Sequence, residues 1–226
     1  MRLGLAALLI AVAVLLPCPP AAAAPFGVQL GLDKLVLDTP AGFSDAAAYG
    51  SPRLTEIAEM LSDASNRVLV FALSDADMRR FSAGDALELR RYLLAVTPRA
   101  TERERMTPAQ LATLLQEAAR NLGAAPARDS DYMKYLQGRP PEQAHLLAEL
   151  RRDPQVLSVL QGTMIPQQAR WSTPPPLFKI SSMTIALVGG KAVYLSAFSS
   201  FDGPADIAWI KTISERWLED LQRLNK

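Results

Sequence analysis

Side chains suited to acid–base, metal-binding or thiol chemistry are scarce in this sequence. It contains one histidine, His145, and one cysteine, Cys18. Histidine is the side chain that most readily exchanges a proton near neutral pH, and a zinc site draws three or four ligands from histidine, cysteine and carboxylates. A lone histidine, in the stretch EQAHLLAEL, is more typical of a packed or surface residue. We therefore expect no metal site, no cofactor and no catalytic residue.

Serine and phosphate chemistry also lack their usual motifs. Neither Gly-x-Ser-x-Gly nor Ser-x-x-Lys occurs in the chain. Gly189 and Gly190 do not open a helix, so they indicate a two-residue hairpin turn rather than a phosphate loop. Asp75 and Asp77 follow Ser74 in SDADMRRF. We interpret them as first-turn residues of a short helix rather than as metal ligands, because carboxylates stabilise helix N-termini.

The three tryptophans are the remaining candidates for a binding role. Trp171 precedes three prolines in WSTPPPLF, and a large aromatic side chain in such a loop can anchor a partner. We take Trp171 as the one candidate partner-binding residue. Trp209 and Trp217 are eight residues apart, which places them near one face of a helix. That spacing favours packing against a sheet over the lining of an apolar pocket.

The N-terminal residues predict export. An apolar run over residues 3–16 is shorter than the roughly 20 residues that span a membrane. It is followed by prolines and by Ala21-x-Ala23, a pattern typical of a cleavable secretory signal. We expect a signal peptide over residues 1–23, a mature chain starting at Ala24, and a periplasmic or secreted protein. Cleavage one residue later would leave Pro25 just past the cut, where its rigid ring hinders a peptidase.

Cys18 follows Pro17, whereas a lipoprotein signal needs a small residue at that position, so we expect no lipid anchor. Cleavage removes the only cysteine, and the mature chain then folds without disulfides. Residues 24–226 are expected to form a single domain, since about 200 residues suffice for one core. Loss of Arg2 lowers the lysine and arginine count from 24 to 23, against 23 acidic residues. This balance argues against nucleic acid as a partner.

The hydrophobic pattern predicts strands and helices in alternation. We expect strands at residues 29–37, 67–73 and 90–97, and helices after the caps Ser51, Ser74 and Thr107. A Thr-x-x-Gln capping box opens the helix over residues 107–123. The stretch PPEQAHLLAELRR is predicted to be helical, and QVLSVLQG remains open between helix and strand. Residues 178–201 predict a hairpin about the two glycines, and a helix opened by Pro204 ends the chain.

This order of elements predicts an α+β fold with a mainly antiparallel sheet covered by helices on both faces, an α/β/α sandwich. The strand running into TPAGF, the hairpin LVGGKAVYLSAFSSF and the closing helix DIAWIKTISERWLEDLQRLN resemble exported bacterial proteins of unknown function. The element order is more loosely similar to sandwich domains of the PsbP/Mog1 type. The resemblance implies a fold and assigns no catalytic residue.

The function expected from these observations is an exported, non-enzymatic module that binds another macromolecule or acts as an accessory factor. The alternative is a periplasmic carrier of a small apolar ligand, held between the sheet and its helices. An enzyme would have to rely on carboxylates alone, as glycosidases do, and three tryptophans are few for a sugar cleft. The protein that this module would bind is not identified by the sequence.

Overall fold

The computed structural model describes residues 24–121, 123–127, 130–167 and 174–226. The strands are β1 (Phe26–Leu30), β2 (Asp33–Leu37), β3 (Phe43–Asp45), β4 (Asn66–Ser74), β5 (Arg91–Pro98), β6 (His145–Asp153), β7 (Val156–Ile165), β8 (Leu177–Val188) and β9 (Lys191–Ser200). The α-helices are α1 (Pro52–Met60), α2 (Asp75–Ser82), α3 (Pro108–Asn121), α4 (Tyr132–Gln137) and α5 (Pro204–Leu224), with short 3-10 turns at Ala47–Tyr49 and Arg99–Thr101.

Seven strands form one antiparallel sheet in the order β3-β4-β5-β9-β8-β7-β6, and β1 pairs with β2 in a separate hairpin. The last helix, α5, lies on one face of this sheet together with the β1–β2 hairpin, because Ile210 and Trp217 share a core with Leu35 and Val193. The other face is covered by α1 and α2 at one end and by α3 at the other. The predicted α+β fold with a helix-covered antiparallel sheet is therefore confirmed.

The β8–β9 hairpin has the predicted register. Ile185 lies opposite Tyr194, and Ala186 opposite Val193. Gly189 and Gly190 have φ angles of +57° and +82°, which are the two positive values that a type I′ turn requires. Both faces of the hairpin are largely apolar because helices cover both sides of the sheet.

The prediction of one strand over residues 29–37 is wrong. The chain folds back within it, so that Leu30 pairs with Asp33 across a turn at Gly31 and Leu32. Gly31 has a φ of +61°, and Leu32 is 98% exposed. A single glycine inside an apolar stretch was the signal for this turn, and the apolar residue beside it concealed that signal.

The predicted helix around His145 is also wrong, because His145–Asp153 is the edge strand β6. The pairing of β6 with β7 shifts register twice, between Leu146 and Ala148 and between Glu149 and Arg151. Each extra residue interrupts the alternation of a strand, and the spacing of the leucines then resembles that of a helix. The stretch QVLSVLQG, which the sequence left open, belongs to the buried strand β7.

The predicted helix starts are confirmed, with one difference in detail. The Ser74 hydroxyl accepts a hydrogen bond from the Asp77 N–H at 3.1 Å. The Thr107 hydroxyl accepts one from the Gln110 N–H, and the Gln110 side chain accepts one from the Thr107 N–H at 2.8 Å. Ser51 occupies the N-cap position of α1, but its side chain makes no capping bond, and Pro52 alone marks the start.

Candidate functional site

Of the residues that the sequence singled out for possible chemistry, the structure describes His145, Asp75 and Asp77. Trp171 lies outside the described residues. His145 lies at the start of β6, and its Nε2 is 3.0 Å from the Pro140 carbonyl oxygen. Among the residues that the structure describes, no three histidine, cysteine or acidic side chains form a group able to hold a metal ion.

The aspartates of SDADMRRF have structural partners. The Ser74 hydroxyl lies 2.7 Å from Asp77 Oδ2, and the Ser44 hydroxyl donates to Asp75 Oδ1 at 2.7 Å. Both carboxylates stand in the first turn of α2, where the helix dipole favours negative charge. Their positions agree with the interpretation of Asp75 and Asp77 as first-turn residues.

The two tryptophans of α5 serve packing. Trp217 is buried in the main core, and its indole N–H donates to the Asp38 carbonyl at 2.9 Å. Trp209 is half-buried and carries the Arg91 guanidinium 4.5 Å from its ring centre. Neither of them lines any of the five main cavities over the described residues.

The charged loop over residues 99–107 also has a structural role. It receives the buried ammonium of Lys191, which donates to the carbonyls of Glu102 at 3.0 Å and Glu104 at 2.7 Å and lies 3.4 Å from Asp33 Oδ2. Arg105 pairs with the same Asp33 at 3.1 Å. With two carbonyl acceptors and the Asp33 carboxylate around its ammonium, Lys191 joins the loop, the β1–β2 hairpin and the β9 strand instead of offering a free cation.

The two edges of the main sheet differ in how they are protected. At one edge, β6 carries two bulges and several charged side chains, which are devices that discourage pairing with another chain. At the other edge, β3 has three residues and pairs only with Ala72–Ser74 of β4. The first half of β4, residues 66–70, therefore has no strand beside it on that side among the described residues, and it carries fewer irregularities than β6, since its pairing with β5 shifts register once, between Val68 and Val70.

A groove lies between this open half of β4 and helix α1, and we call it the α1–β4 groove. Its volume is about 590 Å³, within the range of roughly 300–1,000 Å³ typical of ligand sites. The apolar side chains that line it are Leu54, Ala58, Val68 and Phe71, and the polar ones are Thr55, Glu59, Ser62, Asp63, Asn66, Arg67 and Arg99. An apolar floor is thus bordered by a polar and charged rim.

The rim carries opposite charges on its two sides. Glu59 on α1 and Asp63 just beyond it supply negative charge, and hydrogen bonds from Ser65 hold the pKa of Asp63 below its usual value. Arg67 and Arg99 supply positive charge on the strand side. Arg67 already pairs with Glu102, whereas Glu59 and Arg99 make no ion pair with any residue in the described part of the chain.

The sequence did not point to this groove. The residues of its apolar floor have the same pattern in the sequence as ordinary core residues. The groove exists because β3, in the stretch FSD, is only three residues long. The hydrophobic pattern predicted no strand at Phe43, where β3 begins. The extent of strand pairing at an edge is set by where the chain leaves the sheet, which is a tertiary feature.

Comparisons with protein families, with curated proteins and with solved structures give no match for this chain. None of the helices over the described residues combines the length and the apolar character needed to cross a membrane.

Proposed function

We propose that the protein is a binding module that takes an extended segment of a partner polypeptide into the α1–β4 groove. The observation that carries the proposal is the unpaired half of β4 beside an apolar floor and a helix. A strand edge offers backbone N–H and C=O groups in a row, and an added strand satisfies them while alternate side chains enter neighbouring pockets. The groove supplies both elements at one place.

The way in which the chain leaves β3 supports this occupant. Ala46 N–H donates to the Phe71 carbonyl at 2.7 Å, directly after the last β3 residue. The 3-10 turn at Ala47–Tyr49 then carries the chain away from β4. A partner strand would continue the row of hydrogen bonds from the point at which the chain departs, over β4 residues 66–70.

Charge favours a polypeptide over a small apolar ligand. An apolar guest would cover Glu59 and Arg99 without pairing them, which costs free energy. A peptide with a basic side chain facing α1 and an acidic one facing β4 would pair both. The alternative expected from the sequence, a carrier of a small apolar ligand, therefore fits this groove less well.

The experiment starts from a random dodecapeptide library displayed on phage and selected on the immobilised protein. The best peptide is synthesised with and without methylation of alternate backbone amides, and binding is measured by calorimetry. We expect methylation of the amides facing β4 to abolish binding and methylation of the others to be tolerated. We also expect the bound peptide to slow hydrogen exchange within residues 66–70.

A matched pair of variants separates the groove from the rest of the surface. Thr55→Arg places a large side chain into the groove from an exposed position of α1, and Thr212→Arg places it on α5, on the opposite face of the sheet. We expect only Thr55→Arg to weaken peptide binding. The expected loss is about tenfold or more, which corresponds to about 1.4 kcal/mol or more of binding free energy. A selection without peptide binders, peptides indifferent to backbone methylation, or equal effects of both variants would refute the proposal.

Export is part of the same proposal. It is supported by the short apolar run and by Ala21-x-Ala23, which lie outside the described residues. Mass spectrometry of the protein recovered from the periplasm or medium is expected to give a chain beginning at Ala24. A first residue of Cys18 carrying lipid would contradict this expectation.

A further inference from the structure

A second cavity lies on the other face of the sheet, between α5 and the strands β6 and β7. Its volume is about 240 Å³. The residues that line it are Glu149, Leu150, Arg151, Ser158, Lys211, Ser214, Glu215 and Leu218. We call it the hydroxyl cleft, because it reaches two buried serines.

A polar row crosses the sheet face below this cleft. In the strand register, Arg151 of β6 lies opposite Ser158 of β7, and Ser158 lies opposite Thr184 of β8. Ser158 is 5% exposed and Thr184 is 1% exposed. Both hydroxyls are therefore inside the protein, where a polar group without a partner is costly.

One hydroxyl hydrogen of this row has no acceptor within the row. The Ser158 and Thr184 hydroxyl oxygens are 2.7 Å apart, so two hydroxyl hydrogens share one bond. No other hydrogen bond of either hydroxyl occurs in the described structure. Only Ser158 lines the cleft, so the low-energy arrangement has Thr184 donating to Ser158 while the Ser158 hydrogen points into the cleft.

The second serine that lines the cleft, Ser214, already has acceptors for its hydrogen. Its hydroxyl donates towards the Ile210 carbonyl and towards the Ser182 hydroxyl, both at 2.6 Å, and Ser182 also accepts from the Ala197 N–H at 3.1 Å. Of the two serine hydroxyls that line the cleft, Ser158 is therefore the one with a hydrogen left for a ligand.

The charges around the cleft are balanced and incompletely paired. Arg151 uses Nε to bond Asp153 at 2.8 Å, which leaves its terminal nitrogens available. Glu149 is paired with Arg152 at 2.9 Å. Lys211 and Glu215, one turn apart on α5, form no ion pair with a residue of the described chain. The cleft thus offers cationic donors, one hydroxyl donor and one free carboxylate.

We propose that the hydroxyl cleft binds a small zwitterion of the free α-amino acid class. Its carboxylate would accept hydrogen bonds from Ser158, Arg151 and Lys211, and its ammonium group would pair with Glu215. Leu150 and Leu218 provide an apolar wall for a short side chain. This site is separate from the α1–β4 groove, and the sheet lies between them.

The test is calorimetry on the full mature protein with glycine, alanine, serine, valine and leucine, each at up to about 10 mM, which detects millimolar dissociation constants. The same ligands are then supplied as N-acetyl derivatives, which lose the ammonium group, and as methyl esters, which lose the carboxylate. We expect at least one free amino acid to bind and both of its derivatives to bind at least about tenfold more weakly.

Three variants locate the ligand. Ser158→Ala and Glu215→Gln are expected to weaken binding by about tenfold or more. Glu219→Gln, one turn further along α5 and outside the cleft lining, is expected to leave it unchanged. Thr184→Val is expected to have a small effect, because Ser158 keeps its own hydrogen for the ligand.

The absence of binding by all five amino acids, or equal binding of the derivatives, would overturn the proposal. So would a loss in Glu219→Gln as large as that in Glu215→Gln. Because the readout is small-molecule binding, failure here would leave the peptide result at the α1–β4 groove unaffected.

Discussion

The turn between β8 and β9 gives the sharpest test of the packing, because its first glycine is constrained twice. Gly189 has a φ of +57°, and a β-carbon there would lie 2.9 Å from Leu35 Cδ2. Leu35 is 1% exposed and belongs to the main core, so it cannot move aside freely. Gly189→Ala is therefore expected to add backbone strain and overpacking together.

The magnitude follows from these two contributions. A left-handed backbone costs a non-glycine residue about 1–2 kcal/mol, and overpacking a dense core costs about 1–3 kcal/mol. Gly189→Ala should therefore lower the free energy of unfolding by about 2–5 kcal/mol. Gly50 has a φ of +70°, and a β-carbon there would have no atom within 4 Å. Gly50→Ala should therefore cost only the backbone strain, about 1–2 kcal/mol.

Gly190 ranks between these two sites. A β-carbon there would meet Arg105 Nε at 2.9 Å, but Arg105 is a long, exposed side chain that can move. Replacing both turn glycines by valine should be worse than either alanine variant, because a β-branched residue resists a positive φ most strongly.

The assay is urea unfolding followed by circular dichroism on the wild type and the three alanine variants, with comparison at equal slope. A Gly189→Ala variant no less stable than Gly50→Ala would refute the reasoning, because it would show that Leu35 is not seated against the turn. Equal loss at Gly189 and Gly190 would contradict the ranking by neighbour mobility.

Two further predictions concern the helix α5 and a half-buried carboxyl group. A chain ending at Gly203 should not fold, because it lacks the buried side chains Ile210, Ile213, Trp217 and Leu221. Their burial contributes about 6–12 kcal/mol, which is close to a typical total stability of about 5–15 kcal/mol. A cooperative melt of the truncated chain would contradict this prediction. Burial raises the pKa of Asp45 above 3.8, although the Ala47 N–H opposes the shift. The folded state thus binds the Asp45 proton more tightly, and the stability this provides is present below pH 3.8 and lost as pH rises through the folded pKa. Asp45→Asn should therefore have a higher melting temperature than the wild type at about pH 7 and no advantage at about pH 3; a lower melting temperature at pH 7 would show that the charged carboxylate is stabilising.

Local signals were sufficient wherever neighbours in sequence decide the structure. The two glycines and the flanking apolar residues predicted the β8–β9 hairpin with its register. Ser74, Thr107 and Pro204 predicted the starts of α2, α3 and α5, because a cap satisfies backbone groups only a few residues away. The order of such elements predicted the α+β class. The hydrophobic pattern failed at the turn within residues 29–37, at the short strand β3 and where bulges in β6 shifted its alternation.

The sequence by itself therefore determined the fold class, most helix starts, the central hairpin and the scarcity of acid–base and thiol side chains. Only the tertiary structure decided where the surface can bind. The open half of β4 exists because β3 ends after three residues, and Ser158 has a spare hydrogen because its partner is a threonine 26 positions away. Hydrophobic patterns report which side chains are buried, whereas strand pairing and hydrogen-bond partners depend on contacts between distant parts of the chain, which no local pattern specifies.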